Sequence, residues 1–354
     1  MQTHFFLFFA GRGLFMRHLD LQVVQQARQW AASESVMWLC TVLGTWGSSP
    51  RAPGSMLVAL SDGRYIGSLS GGCVEEAFIE SLRDGAFERP ATIIRYGESQ
   101  EQSQRLQLPC GGILEVLIER LEVNDELCVH LEVLEATLLG QKRLIRRVDP
   151  HSGRYRVILD EAPGGPAVSR DDEQRLNIRI GPALRLILAG ISPVAGFCAR
   201  FARSLGYEVI VCDPRDDERH AFIAAGHGEG IEVQAALPAL FIASGACHES
   251  TAVVALTHDP RIDDPAMIEA VRTPAFYIGV MGSQRTSARR AERLKRSGGL
   301  NDAQIARLHM PIGMDLGSKT PAEIALAVVA DVMRVHNGRA GSYRDEAQPV
   351  SVHA

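Results

Sequence analysis

Leu21, Val23, Val24, Ala27 and Trp30 recur at helical spacing, which predicts an amphipathic helix over residues 19–31. The pattern then changes. Val36–Leu43 is a continuous apolar run of strand length, and it ends in Gly44–Gly54, whose glycines, prolines and serines predict a loop. Residues 55–60 and 64–69 read as a hairpin around Ser61-Asp62-Gly63. A helix is expected over 74–82, with Val74, Ala77, Phe78 and Leu82 on one face, and a further strand over 113–118. These elements predict an α+β N-terminal domain. The next stretch holds a helix over 125–139, a hairpin turning at Pro150–Gly153, and a polar run from Asp160 onward that reads as a linker.

From Leu184 the pattern becomes an alternation. Strands are expected at 184–189, 207–212, 251–257, 275–279 and 309–313, and helices at 194–205, 264–272, 285–296 and 320–336. Such alternation implies a parallel sheet covered on both faces. Gly206 fits the C′ position of the first of these helices, and Thr320-Pro321-Ala322-Glu323 opens the last with a capping box and proline at N1. The expected class is therefore α/β, an α+β N-terminal domain followed by a Rossmann-like parallel-sheet domain. The expected boundaries are 16–120 for the first domain, 121–180 for a middle segment and linker, and 181–340 for the second domain. Residues 1–15 read as a tail or an upstream-start artefact, and 341–354 as a flexible tail.

Composition narrows the classes. A chain of 354 residues is long enough for two cores. Its net charge of −5 gives no reason to expect nucleic acid, and no run approaches the about 18 apolar residues of a membrane span. The seven cysteines are odd in number and show no CxxC spacing, which points to a reducing, cytoplasmic setting and away from a structural zinc site.

Two cysteines sit on glycine turns, Ser70-Gly71-Gly72-Cys73 and Pro109-Cys110-Gly111-Gly112. Thiols so placed suit a sulfur-ligated or sulfur-carrying ligand, whereas each alone is more often a small buried hydrophobe, and the pair on glycine turns shifts the balance toward function. Glu75 and Glu76, in the first turn of the helix after Cys73, partly oppose a thiolate there. Ser49 and Arg51 stand on the rigid loop Ser48–Gly54, where hydroxyls and a guanidinium suit a phosphate or pterin edge. The later dinucleotide-type turn is degenerate, reading Gly190-x-Ser192-x-x-Ala195. Ser192, followed by Pro193, makes close approach of a pyrophosphate harder. Asp213 ends the next strand, where an acidic residue would contact a ribose, and Arg215 could meet a phosphate instead. The other reading of this turn is a fold element that has lost nucleotide binding. Further along the carboxyl ends of the predicted strands lie Gly282, Ser283 and Arg285, then Asp315, Lys319 and Thr320. The last two clusters end at helix starts, where anions bind.

Several longer stretches, taken in order, resemble the xanthine dehydrogenase accessory family, XdhC/CoxI. They are Gly47–Arg51, Gly54–Val58, Gly67–Glu75, Cys110–Gly112, Leu186–Arg215, Tyr277–Thr286 and Pro311–Ile324. The resemblance implies a small N-terminal domain, a Rossmann-type C-terminal domain and a homodimer. It further implies a binding and maturation factor rather than a turnover enzyme. Such a factor holds molybdenum cofactor (Mo-molybdopterin) while a cysteine desulfurase supplies the terminal sulfur, then delivers it to a xanthine dehydrogenase-type molybdenum hydroxylase. On this reading Cys73 and Cys110 are the metal-facing thiols, and Arg51 with the Ser70–Gly72 turn contacts the ligand. Ser192 and Ala195 depart from the family's glycine-rich turn, which leaves a nucleotide there open. The rival reading is an NAD(P)-dependent oxidoreductase using the Rossmann-like half. The degenerate turn and the lack of an evident proton-transfer pair count against it.

Overall fold

The computed structural model describes residues 19–46, 51–97, 112–161 and 166–339. The chain divides into two compact units, one built on His18–Ala183 and the other on Leu184–Met333. The tails expected at 1–15 and 341–354 lie outside the described residues.

In the first unit, β1 (Val36–Trp46), β2 (Met56–Ala59), β3 (Tyr65–Gly67), β4 (Ala91–Tyr96) and β5 (Ile113–Glu122) form an antiparallel sheet in the order β3-β2-β1-β5-β4. Both faces of this sheet are buried along β1, which is why Val36–Leu43 reads as an apolar run, whereas β5 carries Glu115 and Glu119 buried within it. Met37, Leu39 and Leu43 face α1 (Leu19–Trp30) and α3 (Asp125–Leu138). Cys40 and Val42 face α2 (Cys73–Arg83) through Val74, Phe78 and Leu82.

The segment expected to be a linker belongs to this unit. Strands β6 (Leu144–Val148), β7 (Tyr155–Leu159), β8 (Val168–Arg170) and β9 (Leu176–Ile180) make a second antiparallel sheet in the order β7-β6-β9-β8. Val148, Leu176, Ile178 and Ile180 join the same core as α1 and α3. In β8 and β9 apolar residues alternate with Ser169, Asn177 and Arg179, so only one face is buried. That alternation is too short and too polar to stand out beside the turn at Asp171–Arg175. The two sheets and α3 are also joined by charge. Arg146 donates both Nη groups to the Glu119 carboxylate at 2.7 and 2.9 Å and its Nε to His130 Nε2 at 2.9 Å, all three groups being buried. Burial, and then the Arg146 charge, lower the His130 pKa to about 3, which keeps the ring neutral and able to accept that bond.

The second unit carries a six-stranded parallel sheet. Its strands are β10 (Arg185–Ala189), β11 (Glu208–Cys212), β12 (Glu232–Gln234), β13 (Thr251–Ala255), β14 (Tyr277–Val280) and β15 (Leu308–His309), in the order β12-β11-β10-β13-β14-β15. This is the doubly wound dinucleotide-fold order, with its reversal between β10 and β13. The helices are α4 (Pro193–Ser204), α5 (Asp216–Ala224), α6 (Pro238–Phe241), α7 (Pro260–Ala270), α8 (Gln284–Arg296), α9 (Asp302–Ala306) and α10 (Pro321–Arg339). Sequence reading passes over α5, β12, α6 and α9, all short or polar. It also starts α7 four residues late, because Pro265 sits inside that helix. Strand β15 is shorter than the expected 309–313, and Pro311–Ser318 instead lines a cavity.

Candidate functional site

In the first unit, chemistry gathers at the turn before α2. Glu75, third residue of that helix, folds its carboxylate back into the turn. Its Oε1 accepts from the Ser68 hydroxyl at 2.7 Å and from the amides of Leu69, Ser70 and Gly71 at 2.8, 3.1 and 3.0 Å. Its Oε2 accepts from the Ser70 hydroxyl at 2.7 Å and the Gly72 amide at 3.0 Å. Burial alone would raise the Glu75 pKa, but the hydroxyls of Ser68 and Ser70 and the amides of the turn hold it at about 2. Gly71, at φ 93°, takes a conformation few other residues adopt.

This corrects the expectation for Ser70, Gly71 and Gly72. Their amides are donated to Glu75, so the turn does not offer them to a ligand. Gly72 caps α2, and Cys73 is its first residue. The Cys73 side chain, Ser49, Cys110 and Gly111 lie outside what the structure describes. Arg51 is half-buried and reaches the Asp20 carboxylate at 3.5 Å, and that same oxygen accepts the Met56 amide at 2.9 Å. Sequence reading places Glu75 in the first turn only as a charge opposing a thiolate; a glutamate three residues into a helix is also a capping-box signal, which would have given its role.

In the second unit, the dinucleotide-type turn is closed from within. Gly190 has φ 93°, and a Cβ there would come 2.1 Å from Thr257 Cγ2. Ser192 caps α4, accepting from the Ala195 amide at 3.2 Å. Asp213 is fully buried and does not project toward a ribose. It accepts the Ile191 amide at 2.7 Å and is clamped by Arg215, whose Nη2 lies 2.6 Å from Oδ2 and 3.1 Å from the Ile191 carbonyl. Burial opposes ionisation of Asp213, yet the Arg215 side chain and the amides of Arg215 and Ile191 hold its pKa below the usual carboxylate range. The acid and the cation that the sequence offers to a nucleotide are thus spent on each other and on the turn.

The other half of the same sheet edge is open. Beyond β13, β14 and β15 lies a cavity of about 590 Å³. His258, Met281, Gly282, Gln284 and the Pro311–Ser318 loop line it, with Ile324 and Ala327 of α10. A buried charge cluster fixes this edge, which sequence reading also missed. Arg290 of α8 donates to the Met281 carbonyl at 2.8 Å, to Asp264 at 3.0 Å and to Asp263 at 3.3 Å. Asp263 in turn accepts the Thr257 hydroxyl at 2.6 Å. Of the candidates from sequence, Gly282 and Asp315 line the cavity, and Ser283 and Arg285 stand at the start of α8 beside it. Lys319 and Thr320 stand at the start of α10, but their amides donate to Glu323 at 2.8 and 3.0 Å. The anion site expected there is filled by that carboxylate, which these two amides hold below its usual pKa. Among the described residues, no three histidines, cysteines or carboxylates group as a metal set. No described helix is long and apolar enough to cross a membrane.

A family model described as the XdhC Rossmann domain matches residues 186–332, and one described as the XdhC and CoxI family matches residues 30–97. The chain is 28% identical over 302 residues to the molybdenum cofactor insertion chaperone PaoD of Escherichia coli K12, covering 84% of this chain and 82% of that protein. It is 27% identical over 317 residues to a protein of Bacillus subtilis 168 described as a probable xanthine dehydrogenase subunit, covering 84% and 92%. A solved structure described as a xanthine dehydrogenase from Bacillus halodurans shares the fold with a TM-score of 0.68, at 22% identity over 93% of this chain and 98% of that one.

Proposed function

The chain belongs to the XdhC and CoxI family, and from that premise we propose that it is a molybdenum-cofactor-binding maturation factor. It holds Mo-molybdopterin while a cysteine desulfurase supplies the terminal sulfur, then passes the cofactor to a xanthine dehydrogenase-type molybdenum hydroxylase. It does so as a homodimer in the cytoplasm. The similarity to an insertion chaperone over most of both chains supports the insertion role.

The observation that carries the reading is the Ser68–Cys73 turn. A buried, ionised carboxylate with six hydrogen bonds is committed to fixing a glycine backbone that leads directly into a cysteine at a helix start. A cysteine sulfur suits a metal already held by sulfur. The residues fit the cofactor in kind, since the cavity beyond β13–β15 also has the size and mixed lining of a small-molecule site. Nicotinamide turnover is the weaker reading, because Asp213 and Arg215 close the turn where a dinucleotide would lie.

The test is a titration of released molybdenum cofactor against the purified apoprotein, with ultrafiltration and assay of molybdenum and pterin in the retained fraction. Near-stoichiometric retention is expected. Retention no better than that of an unrelated protein would overturn the reading. Cys73→Ala should lose retention while melting within about 1 kcal/mol of the parent.

A further inference from the structure

Beyond β10 and β13 the carboxylates of the sheet edge are spent within the chain. Asp213 is paired with Arg215, Asp259 with Arg261, and Asp263 and Asp264 with Arg290. The neighbouring cavity differs. His258, Gln284 and Asp315 line it, and among the described residues none of their side chains makes a hydrogen bond or an ion pair. Ser318, the fourth polar residue of the lining, already donates its hydroxyl to the Glu323 carbonyl at 3.2 Å.

The backbone holds these three groups in place. Asp315 stands between two anchors. On one side Gly313, at φ 90°, lies directly on α10, where a Cβ would come 3.2 Å from the Ala327 carbonyl carbon. The Met314 amide donates to the Ala327 carbonyl at 3.1 Å. On the other side the Lys319 and Thr320 amides grip Glu323. His258 is kept at φ 64°, in the left-handed region that most side chains avoid, and such strain gathers at functional positions. Ile312 packs over Gly279 of β14, where a Cβ would lie 2.5 Å from Ile312 Cδ1. With Met281 and Ile324 it makes a fixed apolar wall. No lysine or arginine belongs to the lining, and its one carboxylate is Asp315. Such a lining asks for N–H donors on a flat apolar body, and offers an anion no cation.

We propose that this cavity recognises an aminopyrimidinone ring, the heterocycle shared by pterins and guanine. Asp315 accepts the ring N–H and the exocyclic amine together, the two-point match that a carboxylate makes. Gln284 and His258 serve the ring carbonyl and ring nitrogens, and the apolar wall covers the ring face. Any phosphate on the ligand stays outside, in solvent. Assigning the ring to the pterin of the molybdenum cofactor rests on the reading under Proposed function, whereas the ring site itself does not.

The test titrates pterin into the full chain and follows its fluorescence. Lumazine, with an oxygen in place of the ring amino group, is the matched probe, and guanosine is measured by calorimetry. The parent should bind pterin saturably, prefer it to lumazine by about tenfold, and keep it in the presence of inorganic phosphate. Asp315→Asn should weaken pterin binding by about tenfold or more and erase the preference over lumazine. Asp315 is exposed, so this variant should melt with the parent. His258→Gly should also weaken binding while melting no lower than the parent, because glycine relieves the left-handed strain. If the parent binds neither pterin nor guanosine, or Asp315→Asn keeps the parent's affinity and preference, the site is overturned. Guanosine bound and pterin refused would sustain the ring site and overturn its assignment to the cofactor. Cofactor retained by ultrafiltration but indifferent to Asp315→Asn would overturn that assignment while leaving the maturation role standing. Pterin bound as expected, with no cofactor retained, would sustain the site and overturn that role.

Discussion

Replacing Glu75 with glutamine tests whether the turn before α2 is held by charge. The substitution keeps the shape but turns one acceptor oxygen into an N–H₂ donor. Either the Oε1 set or the Oε2 pair then meets a donor where it had an acceptor. A pKa held at about 2, against an ordinary glutamate value of 4.5, corresponds to ~3 kcal/mol in favour of the folded ionised state at neutral pH. In a unit of this size ~3 kcal/mol corresponds to a fall in melting temperature of roughly 6–12 °C. All three tryptophans, Trp30, Trp38 and Trp46, lie in the His18–Ala183 unit, so tryptophan fluorescence follows that unit alone. Acidity supplies the signature. The folded pKa is depressed, so the contribution is fully present above the unfolded value and is lost as pH falls from about 4.5 toward 2. The gap between the parent and Glu75→Gln should therefore be wide at pH 7 and narrow steadily below pH ~5. A variant that melts within a degree of the parent at pH 7, or a gap unchanged by acid, would refute the reasoning.

Arg146→Met should cost about 3–5 kcal/mol in urea unfolding, because it leaves Glu119 charged and buried with no partner, and adding Glu119→Leu should recover most of the loss. Equal stabilities of the single and double variants would contradict this. NADH should show no saturable binding by fluorescence titration, since Asp213 and Arg215 occupy each other and the Ile191 amide. Saturable binding that Arg215→Ala removes would reverse that reading.

The fold is legible wherever burial leaves a long mark. The apolar runs of β1, β10, β11, β13 and β14, and the apolar faces of α4 and α10, announce two-sided burial and helix faces directly. Strands β8, β9 and β12 are not legible because three to five residues with one buried face carry almost no signal. The candidate site is legible in location and misleading in role. Gly190, Asp213, Lys319 and Thr320 stand out because glycine turns and helix starts are visible in sequence. What occupies them is hidden, since it depends on which nearby side chain folds back. Glu75 and Glu323 do so within one turn of helix and Asp213 across one strand end; spacing reveals the capping box at Glu323 but not that its carboxylate closes the anion site, and it offers Asp213 to a ribose rather than to the Ile191 amide.

Glu75, Asp213 and Glu323 have a shared consequence for competition. Each is tethered to the amides it occupies, and a tethered group competes at an effective concentration that dilution cannot lower. A free phosphate or nucleotide must displace such a resident before it can bind at any of these three turns. Abundant cellular anions are thereby turned away by the chain's own carboxylates rather than by a lack of positive charge. Discrimination of this kind works by exclusion.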